Sequence, residues 1–119
     1  MLIALRIALY IQVLLGLGRF FGFIANQRVW ETHISLGVVI AVLALFALGP
    51  NPRVRQDAMR TIARFVPLVT LLMGLAMWQD LIGGTQIVMT HMLLGLITVG
   101  LVERAAAQQK RATSGGRYR

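Results

Sequence analysis

The two histidines of the chain, His33 and His91, occupy the same local sequence, Thr-His-x-x-Leu-Gly. They are 58 residues apart, and a glycine, Gly37 or Gly95, follows each of them one helical turn later. Two imidazoles in matched settings are typical of the axial ligands of a haem iron, which binds one imidazole on each face. Binding of one iron by both histidines requires their side chains to lie at the same depth in the fold. It therefore depends on the secondary-structure elements that contain them.

The composition of the chain indicates an integral membrane protein. Of its 119 residues, 57% are hydrophobic and only 13% are charged, and the mean hydropathy is +0.73. A helix needs about 20 mostly apolar residues to cross a bilayer. Four stretches meet or approach that length: residues 2–24, 29–48, 62–82 and 87–102. We therefore predict an all-α fold, a membrane-spanning four-helix bundle in residues 1–104 that consists of two helical hairpins.

The remaining residues, 105–119, form a basic tail that we predict to be cytoplasmic and disordered. The first apolar segment is longer than the core of a signal peptide, and no small-residue cleavage site follows it, so we expect it to be retained as a span. The chain has no cysteine. This excludes disulfides, thiolate metal sites and the covalent attachment of haem through a Cys-x-x-Cys-His motif.

The distribution of basic residues predicts the orientation of the bundle. Ten of the 12 Lys and Arg residues lie at one end, namely Arg6, those of the link 49–61 and the start of the next helix, and those after Val102. By the positive-inside rule, both termini and this link are cytoplasmic, and we expect the inner or plasma membrane of a prokaryote. The tail charges suit anionic lipid headgroups. Nucleic acid is not an expected partner, because almost no aromatic residue is interleaved with these charges.

The two histidine motifs belong to a longer internal repeat, in which residues of the same type recur 58 positions apart. The matching pairs include Arg6 and Arg64, Gly16 and Gly74, Ile24 and Ile82, Thr32 and Thr90, His33 and His91, and Gly37 and Gly95. Each repeat would contain two helices, an even number, so both hairpins would have the same orientation. They would be related by a pseudo-two-fold axis along the membrane normal.

This arrangement predicts that the two imidazoles face each other. Each histidine would lie about one turn below the outer end of the second or fourth helix, and these helices are diagonal partners in a sequential four-helix bundle. Glycines at nearly the same depth would let a flat ring pass close to the helix backbones: Gly16, Gly18, Gly37, Gly74 and Gly95. The alternative is that the glycines only bring the helices into contact.

The candidate cofactor is a non-covalent b-type haem whose iron is bound by His33 and His91. Iron with two neutral imidazoles is a stable low-spin electron-transfer centre without an open position for oxygen. Each histidine could instead be a hydrogen-bonded polar residue at a helix interface. Bacteriochlorophyll is another alternative, as is a zinc or copper ion held together with the carboxylates of Glu31 and Asp80 at the same end.

Haem propionates need a cation or water, and two arginines lie toward the outer end of the bundle. Arg19 is near the end of the first helix and Arg28 is in the first outer loop. Either could pair with a propionate, although Arg19 could instead extend to lipid headgroups. The aromatic residues at this end are typical of an interfacial belt: Phe20, Phe21, Trp30 and Trp78.

Histidines on the second and fourth helices of a four-helix unit, near its outer face, resemble one half of a haem A synthase. The same plan is similar to that of small membrane b-type cytochromes such as the cytochrome b561 group. The resemblance spans residues 2–102 and depends on Glu31, His33, His91 and the glycines. It implies axial ligation by the two histidines and carries over no catalytic residue. Haem A synthase has eight helices and an arginine directly after the histidine, whereas this chain has four predicted helices and Ile34 in that position.

Three functions are compatible with these observations. The first is an electron-transfer protein, or the haem subunit of a larger respiratory or photosynthetic complex, with an extracytoplasmic redox partner. The second is a haem-modifying enzyme unit, in which a homodimer rebuilds the eight-helix arrangement. The third is a small structural or pigment-binding subunit. We predict the first, a b-type cytochrome whose partners are the lipid bilayer and either other membrane subunits or further copies of the chain.

Overall fold

The computed structural model of the chain describes residues 1–115, which form helices and connecting turns and contain no strand. The helices are α1 (Leu2–Phe20), α2 (Gln27–Ala47), α3 (Ala58–Trp78) and α4 (Thr85–Ser114). Each is long and apolar enough to cross a membrane. The predicted all-α fold with four spans is therefore confirmed, and apart from the end of α4 the helix ends lie within a few residues of the predicted ones.

The helices follow from the apolar composition, and polar residues mark where two of them begin. Inside a bilayer, backbone N–H and C=O groups cannot bind water, and a helix pairs them internally. The side chain of Asn26 accepts a hydrogen bond from the backbone N–H of Arg28 at 2.9 Å, and that of Asp57 accepts one from Arg60 at 2.8 Å. These N-caps satisfy N–H groups at the starts of α2 and α3 that lack a partner within the helix.

The turns that close the two hairpins have equivalent positions. α1 and α3 end 58 residues apart, and α2 and α4 begin 58 residues apart. Each turn contains a residue with positive φ two positions after the helix end, Gly22 at 77° and Asp80 at 54°. Glycine adopts this left-handed conformation without a steric penalty, and aspartate is among the few other residues that tolerate it.

The four helices form a ring in which each packs against two neighbours. α1 and α3 each contact both α2 and α4. Within residues 1–115, no Cα atom of α2 lies within 8 Å of one in α4, and the same holds for α1 and α3. α2 and α4 are therefore diagonal partners, as the sequence predicts, and their inner faces point at each other across the bundle.

The packed core fills only the half of the bundle that contains the N-terminus. Its buried apolar residues come from the start of α1, the end of α2, the start of α3 and the second half of α4: Leu5, Ala8, Leu9, Ile40, Ala44, Leu48, Ala63, Val102 and Ala105. Small side chains at Ala44 and Ala63, both completely buried, allow neighbouring helices to approach closely. No residue in 10–39 or 68–97 is buried to this extent, and this half surrounds a cavity.

α4 continues past its predicted span and ends at Ser114. The prediction that the tail after residue 104 is disordered is therefore wrong for residues 105–114, while residues 116–119 lie outside the described part of the chain. Alanine and glutamine, which favour helices, dominate this extension. It is also held by contacts with the α2–α3 link, where the amide of Gln108 donates to the Arg55 carbonyl at 3.2 Å.

The outer surface of the helices is apolar. Large hydrophobic side chains on every helix are exposed, among them Ile3, Leu14, Val42, Val69 and Leu93. In water such a surface would promote association, whereas in a bilayer it contacts lipid tails. The chain is therefore an integral membrane protein whose helices contact the lipid bilayer.

Candidate functional site

The two histidines meet inside the hollow half of the bundle. Each is the seventh residue of its helix, α2 for His33 and α4 for His91, which places it about 9 Å from the helix start at ~1.5 Å per residue. The centroids of the two rings are 6.4 Å apart, and their planes are inclined at 66°. Both imidazoles therefore lie at the same depth and line the same cavity, as the sequence predicts.

The nitrogen atoms of the two rings have matching environments. Nδ1 of His33 and Nδ1 of His91 are both buried without a hydrogen-bond partner among residues 1–115. Nε2 of neither ring belongs to this group of buried, unpaired atoms, and neither Nε2 makes a hydrogen bond within the described residues. The Nε2 atoms are therefore the ring nitrogens that are open to the cavity, and Nε2 is a common metal-binding atom of histidine.

Two glycines make room for the imidazoles themselves. A Cβ atom placed on Gly16 would lie 3.2 Å from Cε1 of His33, and one placed on Gly74 would lie 3.0 Å from Cε1 of His91. Both distances are shorter than ordinary van der Waals contact, so each ring rests directly on the backbone of the preceding helix. The sequence analysis predicted that these glycines make room for a macrocycle; the structure shows that Gly16 and Gly74 accommodate the histidine rings.

The cavity has a volume of about 330 Å³, within the range of ligand-binding pockets. It extends from Arg19, Trp30 and Met77 at one end to Ile40 and Thr98 at the other. Ile40 and Thr98 each lie seven residues after a histidine, which is about 10 Å deeper along the helix. Most of the lining residues between these ends are apolar, with the histidines, Gln12 and Thr70 as exceptions.

Nearly all lining residues occur as pairs 58 positions apart. The pairs are Leu9 and Pro67, Gln12 and Thr70, Val13 and Leu71, Gly16 and Gly74, Leu17 and Leu75, Arg19 and Met77, Trp30 and Val88, His33 and His91, Ile34 and Met92, Gly37 and Gly95, and Ile40 and Thr98. The 58-residue spacing of the sequence therefore relates most of the residues that form the wall of the cavity. Equivalent positions on the two hairpins face the same space, although many of them carry different side chains.

Of the four remaining predicted site residues, three line the cavity and Arg28 does not. Gly37, Gly95 and Arg19 line it. The side chain of Arg19 is exposed and reaches the Ile24 carbonyl at 3.5 Å. Arg28 is exposed at the start of α2 and does not line the cavity. Of the two arginines that were predicted to pair with a propionate, only Arg19 is therefore positioned beside the cavity.

Sequence reasoning missed two residues that contact a histidine. Trp30 stacks on the ring of His33, with centroids 5.7 Å apart and planes 8° from parallel, whereas it was assigned to an interfacial belt. Gln12 was not singled out, yet its amide nitrogen donates to the His33 carbonyl at 2.9 Å. The signal for Gln12 was present, because an uncharged polar residue within an otherwise apolar span is a candidate functional residue.

The separation of the rings fits two ligands of one metal ion. An imidazole–metal bond is about 2.0–2.1 Å long and the nitrogen lies ~1.1 Å from the ring centroid, so two opposed imidazoles have centroids roughly 6.3 Å apart. The observed value is 6.4 Å. Because each ring can turn about its own metal–nitrogen bond, the 66° between their planes is compatible with this arrangement. Among residues 1–115, no group of three or more His, Cys, Asp or Glu residues is positioned to hold a metal.

No protein-family model, curated protein or solved structure matches the chain.

Proposed function

We propose that the protein is a membrane b-type cytochrome in which His33 and His91 bind one haem. The observation that carries the proposal is the pair of imidazoles on diagonal helices, with ring centroids 6.4 Å apart in a single cavity. A pair of polar residues at a helix interface would be expected to hydrogen-bond to each other or to the backbone. Here neither Nε2 atom makes a hydrogen bond within the described residues, and neither is among the buried, unpaired atoms, so both remain available to a ligand in the cavity.

A tetrapyrrole suits these residues better than a metal ion held by protein alone. A structural zinc site has four protein ligands and a catalytic one has three, and the described residues offer two histidines without a third ligand beside them. A haem supplies four nitrogen ligands of its own and needs only the two axial imidazoles. The largely apolar wall of a cavity of about 330 Å³ suits the body of such a cofactor.

The polarity of the cavity predicts how the cofactor is oriented. Arg19 is the one charged residue among those that line it, and it lies at the end near Trp30 and Met77. The opposite end is formed by Leu9, Ile40 and neighbouring residues. We expect the carboxylates of the haem at the Arg19 end, where a guanidinium can bind them, and its apolar edge at the deep end.

The chemistry that this site supports is electron transfer. A haem held by His33 and His91 would supply one-electron oxidation and reduction, and the two imidazoles together would leave no position for a substrate. The protein contributes the axial nitrogens, an apolar wall that excludes water, and a cation near the carboxylates. On the predicted orientation, with both termini cytoplasmic, the site lies nearer the outer face. The electron partner is then an extracytoplasmic carrier or a cofactor of a neighbouring subunit.

The visible absorption spectrum of the purified protein tests the proposal. We expect one haem per chain, with sharp α and Soret bands on reduction and a low-spin spectrum in the oxidised state. Absorption at long wavelength would identify bacteriochlorophyll and favour a pigment-binding subunit. Conversion of the bound haem to a chemically modified haem would favour the haem-modifying alternative. A colourless protein that takes up neither tetrapyrrole would refute the proposal.

Replacement of Arg19 by glutamine should lower the midpoint potential of the haem. Loss of a positive charge near the carboxylates favours the oxidised iron, which carries one more positive charge. For an exposed arginine we expect a decrease of about 30–60 mV, equivalent to roughly 0.7–1.4 kcal/mol. Arg28→Gln is the matched control, because it removes the same charge at the same end from a residue that does not line the cavity. Equal shifts in both variants would contradict a specific role for Arg19.

Replacement of Gly74 by leucine should displace the His91 ring. Even a Cβ atom at this position would approach Cε1 of His91 to 3.0 Å, and overpacking of this kind costs about 1–3 kcal/mol. We expect haem content to fall roughly tenfold or more, measured as the ratio of haem to protein. Gly100→Leu is the control, because Gly100 is an exposed glycine of α4 with nothing within 4 Å of its Cβ position. Similar losses in both variants would indicate a general effect on helix packing.

A further inference from the structure

The two histidines occupy equivalent positions, but their surroundings differ. Trp30 stacks on the ring of His33, with centroids 5.7 Å apart. The residue 58 positions later, which lines the cavity on the helix of His91, is Val88. An aromatic neighbour favours particular orientations of the ring that it covers, and valine offers no stacking surface. The His33 ring therefore has an aromatic stacking partner, and the equivalent position beside the His91 ring has none.

The backbone at His33 is also tied to a neighbouring helix. The amide nitrogen of Gln12 donates to the His33 carbonyl at 2.9 Å, and this bond links α1 to α2. The counterpart of Gln12 is Thr70, whose hydroxyl donates to the carbonyl of Val66 at 2.9 Å, within α3 itself. Thr70 therefore provides no equivalent link from α3 to the backbone of His91.

Free space is likewise distributed unequally. A Cβ atom on Gly37, one turn after His33, would lie 3.3 Å from the amide nitrogen of Gln12 and 3.3 Å from Leu71. On Gly95, one turn after His91, a Cβ atom would have no neighbour within 4 Å. The cavity is therefore packed beside His33 and open beside His91.

We infer that His33 is the fixed ligand of the site and His91 the exchangeable one, with Trp30 and Gln12 as positioning residues of His33. The inference rests on the proposed function and deepens it. Release of His91 would leave one axial face open toward the space beside Gly95. A small neutral molecule such as carbon monoxide or free imidazole could bind there. In this exchange one bond to the metal breaks and another forms, and no electron or proton is transferred.

Haem release from the two single-histidine variants tests the inference. We expect His91→Ala to retain haem in a five-coordinate, high-spin form, and added imidazole to restore its low-spin spectrum. We expect His33→Ala to release haem roughly threefold to tenfold faster and to show no such rescue. The release rate is measured by transfer of haem to an excess of a soluble haem-binding protein. Equal rates, or faster release from His91→Ala, would overturn the inference.

Moving the tryptophan from one half to the other isolates its contribution. In the background of Trp30→Val combined with Val88→Trp, we expect the difference between the two release rates to shrink, because the stacking partner is moved to His91 while Gln12 still binds the backbone of His33. If this double variant does not bind haem, Trp30→Val alone should reduce the difference between the rates, and Trp30→Phe should preserve it.

Trp78→Val is the control, because Trp78 is exposed and does not line the cavity. An undiminished difference between the rates, in a haem-binding swap variant or in Trp30→Val, would exclude Trp30 as a positioning residue. A wild-type protein that binds no haem would instead contradict the proposed function, so the two failures are distinguishable.

Discussion

Replacement of either His33 or His91 by alanine is expected to abolish the low-spin spectrum of the bound haem. Each ring would supply one of the two axial bonds, and the described residues place no third imidazole near the cavity. Changes in groups that merely orient a ligand already lower metal affinity by about 10–100-fold, so the loss of a direct ligand should have at least that effect. The oxidised and reduced absorption spectra, with haem content per chain, measure the outcome.

The residues directly before the histidines provide matched controls. Thr32 and Thr90 are exposed, and the hydroxyl of each donates to a carbonyl one turn earlier in its own helix, at 2.8 Å in both cases. Thr32→Ala and Thr90→Ala should therefore keep the wild-type spectrum and haem content. If both histidine variants also kept a wild-type low-spin spectrum, the assignment of the axial ligands would be wrong.

The four spans could be predicted because the bilayer requires long apolar segments, and this requirement is visible in the sequence. The end of α4 could not be predicted in the same way. After Val102 the sequence becomes polar and basic, and such a composition is typical of a disordered tail as well as of an exposed helix. The difference is decided by tertiary contacts, such as the bond of Gln108 to the α2–α3 link, which periodicity does not reveal.

The meeting of His33 and His91 could be predicted because equal spacing and an even number of helices place both residues at the same depth. The roles of the glycines were predicted only in part. Sequence spacing places Gly37 and Gly95 on the same face as the histidine of their own helix, but it does not show what the neighbouring helices present. The contacts of Gly16 with His33 and of Gly74 with His91 depend on the packing of adjacent helices.

The differences between the two halves were the hardest features to interpret from the sequence. Trp30 lies three residues before His33 and so on the same helical face, but a tryptophan near the end of a span is equally typical of an interfacial belt. Only the orientation of its ring, 8° from parallel to His33, distinguishes the two roles. The packed core lies at one end of the bundle and the cavity at the other. The differences between the two halves around the cavity are therefore not needed to hold the helices together. The core holds the helices together, so residues around the cavity can serve ligand binding.

Reduction of the haem from one side of a vesicle membrane is the second prediction with a large expected effect. Each histidine lies about 9 Å from the start of its helix at ~1.5 Å per residue. In a hydrocarbon core of about 30 Å, the haem iron should therefore be roughly 20 Å from the opposite face. The rate of electron transfer falls steeply with distance, and a single haem provides no intermediate site. We expect a membrane-impermeant reductant to reduce the haem rapidly from the side of the α1–α2 and α3–α4 turns, and not measurably over the same interval from the basic side.

The orientation of the protein in the vesicles must be known for this result to be decisive. Arg53 and Arg55 in the α2–α3 link are exposed, so added trypsin should cleave the link only in molecules whose basic end faces outward. Molecules whose α2–α3 link is protected from trypsin should be those that the external reductant reduces rapidly. Detergent should abolish both distinctions, because it gives the reagents access to each end. Rapid reduction confined to the trypsin-sensitive molecules would place the electron-exchange surface at the basic end and overturn the proposed role at the outer face.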